Sequence, residues 1–119
     1  MATIKQTLDE LLTADGALCA AIVDSSSGMM LGSIGTGVDL EVAAAGNTEV
    51  VRAKIKTMRS LGLNDVIEDI LITLGKQYHL IRPLSRKEGV FIYFVLDKAK
   101  SNLAMARRKL LDLEKDLSF

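Results

Sequence analysis

The residues that could perform chemistry are few and lie far apart in the sequence. His79 is the only histidine and Cys19 the only cysteine, so a metal ion would take most of its ligands from carboxylates, and no clustered spacing offers them. A nucleophilic site would combine a serine at 25–27 with His79 and Asp24, but no Gly-x-Ser-x-Gly elbow surrounds these serines. Turn formation explains the serine run better. The sequence therefore predicts no catalytic residue, no metal site and no cofactor.

Two further patterns, a glycine-rich segment and a pair of adjacent carboxylates, resemble ligand sites but lack residues or geometry that such sites require. The glycines at 32–37 precede a predicted helix, and exposed N–H groups at the start of a helix attract phosphate. No Gly-Lys-Ser/Thr ending follows, and Asp39 at the helix start would repel an anion. Glu68 and Asp69 are adjacent on a predicted strand, so their side chains point to opposite faces and cannot share a substrate. The prediction is a protein that is not an enzyme.

The composition argues against several other classes of function. Fifteen basic residues balance fifteen acidic ones and aromatic residues make up 4% of the chain, which argues against nucleic-acid binding. The longest apolar runs, at 17–23 and 90–96, are far shorter than the roughly 20 residues that cross a bilayer, so no membrane insertion is expected. The single cysteine and the lack of a signal-peptide core predict a cytoplasmic protein. A length of 119 residues predicts one domain over 1–119.

Hydrophobic periodicity divides the chain into eight elements in the order α-β-β-α-β-β-β-α. Apolar residues recur at helical spacing in three segments, and uniform or branched apolar runs bounded by turn residues indicate five strands. The run at 90–96 is so uniformly apolar that it is expected at the centre of the sheet, covered on both faces. The predicted helices are 3–14, 39–61 and 103–117, and the predicted strands are 17–23, 29–34, 66–74, 77–84 and 90–96.

This ordered set resembles the roadblock/LC7 family. The resemblance is carried by the element order, the polar hairpin tip at 24–28, the long alanine-rich helix after Gly37 and the closing strand at 89–96. It implies an α+β fold of profilin-like architecture, with a five-stranded antiparallel sheet, the long helix on one face and the terminal helices on the other. It also implies a dimer that regulates or scaffolds a Ras-like small GTPase, or serves as a dynein light chain.

Two stripes on the helix 39–61 indicate how it packs. One is suited to the sheet, and its members are Leu40, Ala44, Asn47, Val51, Ile55 and Met58. The other consists almost wholly of small residues, namely Ala43, Gly46, Val50, Ala53, Thr57 and Ser60. Gly46 in mid-helix costs about 1 kcal/mol relative to alanine, so close packing is a reason for its presence. These residues either fit under another part of the same chain or contact a second copy about a twofold axis.

The resemblance favours the second copy and adds that the strand at 66–74 can pair across the axis. The predicted dimer interface therefore comprises Ala43, Gly46, Val50, Ala53, Thr57, Ile70 and Ile72. The remaining helix face carries Glu49, Arg52, Lys56 and Arg59. In roadblock/LC7 regulators the paired second helices face the GTPase, so the resemblance implies that these four residues contact the partner. They would either supply an arginine finger or hold the loops of the GTPase in place.

A small-molecule sensor of profilin-like architecture is the alternative function. Small α+β domains of this kind bind ligands between the sheet and a helix. That function would require an internal cavity of roughly 300 Å³ or more with a few convergent polar groups.

Overall fold

The computed structural model describes residues 1–119 as three helices and one sheet. The elements are α1 (Ile4–Leu11), β1 (Ala17–Asp24), β2 (Met29–Gly35), α2 (Leu40–Ser60), β3 (Ile70–Thr73), β4 (Gln77–Pro83), β5 (Val90–Asp97) and α3 (Leu103–Asp116). All strand pairs are antiparallel, in the order β2-β1-β5-β4-β3. Helix α2 packs on one face of the sheet, and α1 and α3 pack on the other. The predicted fold and element order are confirmed.

The centre of the sheet is β5, and residues 90–96 of this strand are all buried. It pairs with β1 on one side and β4 on the other. Its side chains alternate between two apolar clusters, so that Phe94 packs with α1 and α3 while Tyr93 faces α2. Because both faces are covered, this strand has no need of polar residues, which explains its uniform composition.

Each helix begins at a side chain that satisfies a backbone N–H group of the first turn. The Thr3 hydroxyl accepts from the Gln6 N–H at 3.1 Å, and the Gln6 side chain accepts from the Thr3 N–H at 2.9 Å, which forms a capping box. The Asp39 carboxylate accepts from the Val42 N–H at 3.2 Å, and Asn102 caps α3 in the same way. None of the three helices is both long enough and apolar enough to cross a membrane.

Strand β3 is shorter than the predicted strand at 66–74, because residues 66–69 have no regular secondary structure. The register places Ile70 opposite Ile81, so residue 68 would lie opposite Pro83. The N–H group of the neighbouring Leu84 bonds to β5. Successive residues of a strand direct their N–H groups to opposite sides, so residue 83 would have to donate to β3. Proline has no N–H group to donate. The prediction that Glu68 and Asp69 lie on a strand is therefore wrong.

A cluster of charged side chains attaches α3 to the sheet. The Glu114 carboxylate is buried and accepts from Arg82 Nε and from the Ser85 hydroxyl, each at 2.8 Å. Arg107 donates two hydrogen bonds to the carboxylate of Asp69, at 3.0 and 3.1 Å. Asp69 therefore serves as an anchor for α3 and is not part of a carboxylate pair with its neighbour.

Candidate protein interface

The small-residue stripe of α2 faces away from the rest of the chain. Ala43 is half-buried, and the other five members are exposed. A methyl group placed at Gly46 would meet no neighbouring atom within 4 Å. The sheet-facing stripe is by contrast buried or half-buried along its whole length. No loop or helix of the same chain therefore accounts for the small residues, and the explanation by packing within the chain does not hold.

Strand β3, one of the two edge strands of the sheet, turns apolar side chains to the face that α2 covers. Strand β3 pairs only with β4, so its second edge has no strand beside it. Ile70 and Ile72 are half-buried and pack with the apolar cluster that lies between α2 and the sheet. We call the combination of the small-residue stripe with Ile70, Ile72 and the free edge of β3 the α2–β3 surface. It contains all seven residues predicted for a dimer interface.

Exposed apolar side chains flank the small-residue stripe of α2. Val42 is 68% exposed near the start of the helix and Leu61 is 65% exposed at its end, and no member of the stripe is larger than valine. Two helices approach each other most closely where the side chains between them are small. The stripe therefore suits close contact with a second α2.

The charged row of α2 is divided between two roles. Both Nη2 hydrogen bonds of Arg52 go to the β1–β2 hairpin tip, to the carbonyl oxygens of Ser25 at 2.6 Å and Ser26 at 2.8 Å. Its Nη1 lies 3.5 Å from the Glu49 carboxylate. Lys56 and Arg59 are exposed and make no ion pair within the chain. Only these two of the four predicted partner-binding residues present an uncommitted charge.

The hairpin tip that Arg52 holds is also organised by Asp24. The Asp24 carboxylate accepts from the Ser26 N–H at 2.9 Å and from the Ser26 hydroxyl at 2.7 Å. These hydrogen bonds are the main reason that the pKa of Asp24 is lowered, and Arg52 adds a smaller attraction. The serine run is therefore a turn structure, as its sequence predicts.

His79 lies at the inner margin of the α2–β3 surface, directly across from Ile72 on β3. Its Nδ1 is 2.8 Å from the Tyr93 hydroxyl, and its Nε2 is 2.8 Å from Oε1 of Gln77. Oε1 of Gln77 can only accept, so Nε2 carries the ring proton and donates it to Gln77, which leaves Nδ1 to accept from the Tyr93 hydroxyl. Burial raises the pKa of Tyr93 to about 12, so the hydroxyl keeps the proton that it donates. Burial lowers the pKa of His79, which favours this neutral form.

A groove lies between the C-terminal half of α2 and the sheet. Its volume is about 640 Å³, and it is open to solvent along the segment 63–68. Apolar residues of α2 and β5 form much of the lining, including Ile55, Met58 and Phe91. Of its polar side chains, Arg82 and Ser85 already bond to Glu114. The groove exceeds the size that a ligand-binding sensor requires, although it is not enclosed.

The residues considered for nucleophilic chemistry lie apart in the fold. The Ser25 N–H bonds to the Gly89 carbonyl at 2.7 Å, before the start of β5, whereas His79 pairs with Val95 near its end. About 20 Å of strand separates these two positions. Cys19 is buried, and this burial raises the pKa of its thiol, which disfavours the reactive thiolate. No three His, Cys, Asp or Glu residues lie close enough together to hold a metal ion.

The glycine-rich segment before α2 has a structural explanation. Gly35 has a φ of +84°, and a side chain there would clash with the carbonyl oxygen of Leu18 on the neighbouring strand. The N-terminus of α2, where a phosphate would bind, is already capped by the Asp39 carboxylate. The segment therefore ends the hairpin and starts the helix, and its geometry offers no anion site.

Solved structures match this chain along nearly its whole length. Myxococcus xanthus MglB superposes with a TM-score of 0.82 at 17% sequence identity, over 95% of this chain and 89% of that one. The roadblock/LC7 domain from Streptomyces avermitilis superposes with a TM-score of 0.82 at 11% identity, over 97% and 94%. Myxococcus xanthus MglC gives a TM-score of 0.62 at 14% identity, over 95% and 94%. No protein-family model matches the sequence, and no curated protein matches it significantly.

The architecture and the exposed surface together define an α+β domain that presents one helix and one sheet edge to its surroundings. This chain has the roadblock/LC7 fold. The resemblance found in the sequence is confirmed at the level of the fold.

Proposed function

We propose that residues 1–119 form a single roadblock/LC7-like domain that acts in the cytoplasm as a homodimeric, non-catalytic binding module. Its role is to regulate or scaffold a Ras-like small GTPase. The observations that carry this proposal are two uncovered features on the α2 side of the sheet: α2 exposes a stripe of small residues, and β3 has an edge without a partner strand. Structures of MglB and MglC share the fold, and the roadblock/LC7 resemblance implies a GTPase partner.

The dimer is supported by the chemistry of both halves of the surface. An unpaired strand edge leaves backbone N–H and C=O groups that a second copy of β3 can satisfy. A stripe of small residues permits two α2 helices to approach closely, and the exposed Val42 and Leu61 at its ends add apolar surface that a second copy can cover. Because the same surface occurs on both copies, a twofold axis through it makes the contact self-complementary. Ala43, Gly46, Val50, Ala53, Thr57, Ile70 and Ile72 would all be buried.

The partner site is proposed on the flank of α2 that the dimer leaves open. Lys56 and Arg59 are its free cations, and together they would orient an acidic partner and speed its association more than they would add affinity. Arg52 is held on the hairpin tip and Glu49 lies beside it, so this pair would shape the contact by positioning the tip. With Arg52 committed in this way, we favour a mechanism that holds the loops of the GTPase in a competent geometry over an arginine finger.

The test is calorimetric binding of Ras-like GTPases from the same genome, each loaded with GDP or with a non-hydrolysable GTP analogue. We expect one of them to bind in one nucleotide state. The double variant Lys56→Glu with Arg59→Glu should weaken that binding by about tenfold or more, which corresponds to about 1.4 kcal/mol. The matched control reverses Lys76 and Lys100, which are exposed residues outside α2, and should bind as the wild type does. Failure of every GTPase in both states would contradict the proposal.

A second candidate function, a small-molecule sensor, is supported by the groove beneath α2. Its volume of about 640 Å³ is sufficient for a ligand of drug size. Against this function, the groove is open, and its polar groups at Arg82 and Ser85 are already paired with Glu114. Thermal-shift screening of amphipathic small molecules against the wild type and Met58→Arg, which would fill the groove, would distinguish the two functions.

A further inference from the structure

The single histidine occupies a place where its charge would affect assembly. It lies on the α2 face of β4, between Ile72 of β3 and Tyr93 of β5. The α2 helix faces the same cluster with Asn47, whose side chain lies near the Tyr93 hydroxyl. Cys19 of β1 approaches Tyr93 from the other side. His79 is half-buried in one chain, and a second copy on the α2–β3 surface would cover what remains exposed.

The hydrogen bonds around His79 are complete in its neutral form. Nδ1 accepts from the Tyr93 hydroxyl while Nε2 donates to Gln77. A protonated ring would donate from both nitrogens, so the Tyr93 hydroxyl would have to rotate and accept from Nδ1 instead of donating to it. No carboxylate forms an ion pair with the ring, and Asp97, on the same face of β5, lies opposite Gln77.

Burial opposes a proton on His79, and in the proposed dimer the positive charge of Lys54 would add to that effect. Burial alone lowers the pKa of His79, and no ionisable side chain of β1, β3, β5 or α2 contributes to that shift. The helical wheel places Lys54 on the flank of α2 between its sheet-facing stripe and its small-residue stripe. Lys54 is exposed in one chain, and two copies would bring two such lysines toward the interface. Their positive charge would add to the cost of a second cation there.

We propose that protonation of His79 controls the pairing of two chains, so that the dimer is stable at neutral pH and dissociates at mildly acidic pH. This proposal rests on the homodimer proposed above. The dimer buries His79 more deeply than the monomer does, and burial disfavours the charged form. Each protomer must therefore release its proton when the two chains associate, and acid drives the reverse reaction.

The expected size of the effect follows from the number of protons. Two histidines are buried per dimer, so up to two protons bind when it dissociates. Between the pKa of His79 in the dimer and its higher pKa in the monomer, the dissociation constant should rise by up to about 100-fold for each unit of falling pH. Above the monomer pKa the dissociation constant should be constant. No other side chain in this sequence has an ordinary pKa between about 5 and 8.

The test is sedimentation equilibrium of the wild type and His79→Gln from about pH 8 to about pH 5. The glutamine amide is neutral at every pH and can still accept from Tyr93 and donate to Gln77. We expect the wild-type dissociation constant to rise in acid and that of the variant to stay constant. Circular dichroism at each pH verifies that both proteins remain folded, and His79→Asn offers the same test if glutamine disturbs the fold.

The possible results separate this inference from the proposed function. A wild type that is monomeric at every pH overturns both, because there is no dimer to control. A wild-type dimer whose dissociation constant does not change with pH overturns the role of His79 and leaves the dimer intact. If the dissociation constant of His79→Gln rises in acid as that of the wild type does, the role of His79 is also overturned, because another group must then bind the proton.

Discussion

The substitution Gly46→Leu should have opposite effects on the single chain and on its dimer. Gly46 lies inside α2, in its N-terminal half, and a Cβ there would meet no atom of the same chain within 4 Å. Leucine forms helices better than glycine by about 0.8 kcal/mol. The isolated chain should therefore become more stable by about that amount, and its unfolding midpoint should rise by about 3 °C.

The cost appears when two chains meet. In the proposed dimer the small-residue stripe of each α2 contacts the other copy, so the variant dimer would contain two inserted leucines at position 46. Overpacking of a close contact costs about 1–3 kcal/mol for each site, or about 2–6 kcal/mol for the dimer. The dissociation constant should then rise by at least about 30-fold.

The assay combines light scattering across a concentration series with denaturant unfolding at a concentration where both proteins are monomeric. Ala45→Leu is the matched control, because Ala45 is exposed on the charged side of α2 and outside the small-residue stripe. It should leave the dissociation constant unchanged. The reasoning is refuted if Gly46→Leu forms the dimer at the same concentration as the wild type, or if its monomer is less stable than the wild-type monomer.

Three further predictions concern the fold that supports this surface. Glu114→Gln should lower the free energy of unfolding by about 2–3 kcal/mol, because it removes the negative charge that compensates the largely buried Arg82. An unchanged denaturant midpoint would show that this ion pair does not stabilise the fold. Arg52→Ala should speed hydrogen exchange at the hairpin tip about fivefold, which corresponds to about 1 kcal/mol of local stability, because two carbonyl oxygens lose their donor. Exchange at the wild-type rate would show that the hairpin tip is stable without Arg52. Cys19 should react with a thiol reagent only as fast as the protein unfolds, because it is fully buried, and rapid labelling of the folded protein would argue against the packing under α2.

The architecture could be predicted because each element carries a local signal. The uniform apolar run in β5 required burial on both faces, and the caps at Thr3 and Asp39 start helices where the apolar period begins. The two stripes of α2 could be separated on a helical wheel, since a period of 3.6 residues assigns every side chain to a direction. These signals depend only on residues that are close in the sequence, so they can be recognised before the structure is known.

Features that depend on register between strands could not be predicted. Val66 and Ile67 favour strands, so the sequence predicts a start of β3 that is too early. Pro83 cannot donate a hydrogen bond to the residue opposite it, and which residue that is becomes known only from the strand pairing. The contact between His79 and Tyr93 likewise depends on how β4 aligns with β5. The sequence pattern placed Arg52 with the partner-binding residues, but its bond to the hairpin tip joins positions more than twenty residues apart.

The most direct test of the central proposal is the solution mass of the wild-type chain, measured by light scattering at neutral pH from low to high micromolar concentration. We expect a mass twice that of the 119-residue chain, which should fall toward the single-chain mass only at the lowest concentrations. A single-chain mass throughout would contradict the proposed dimer and would make the groove beneath α2 the better candidate for the functional site.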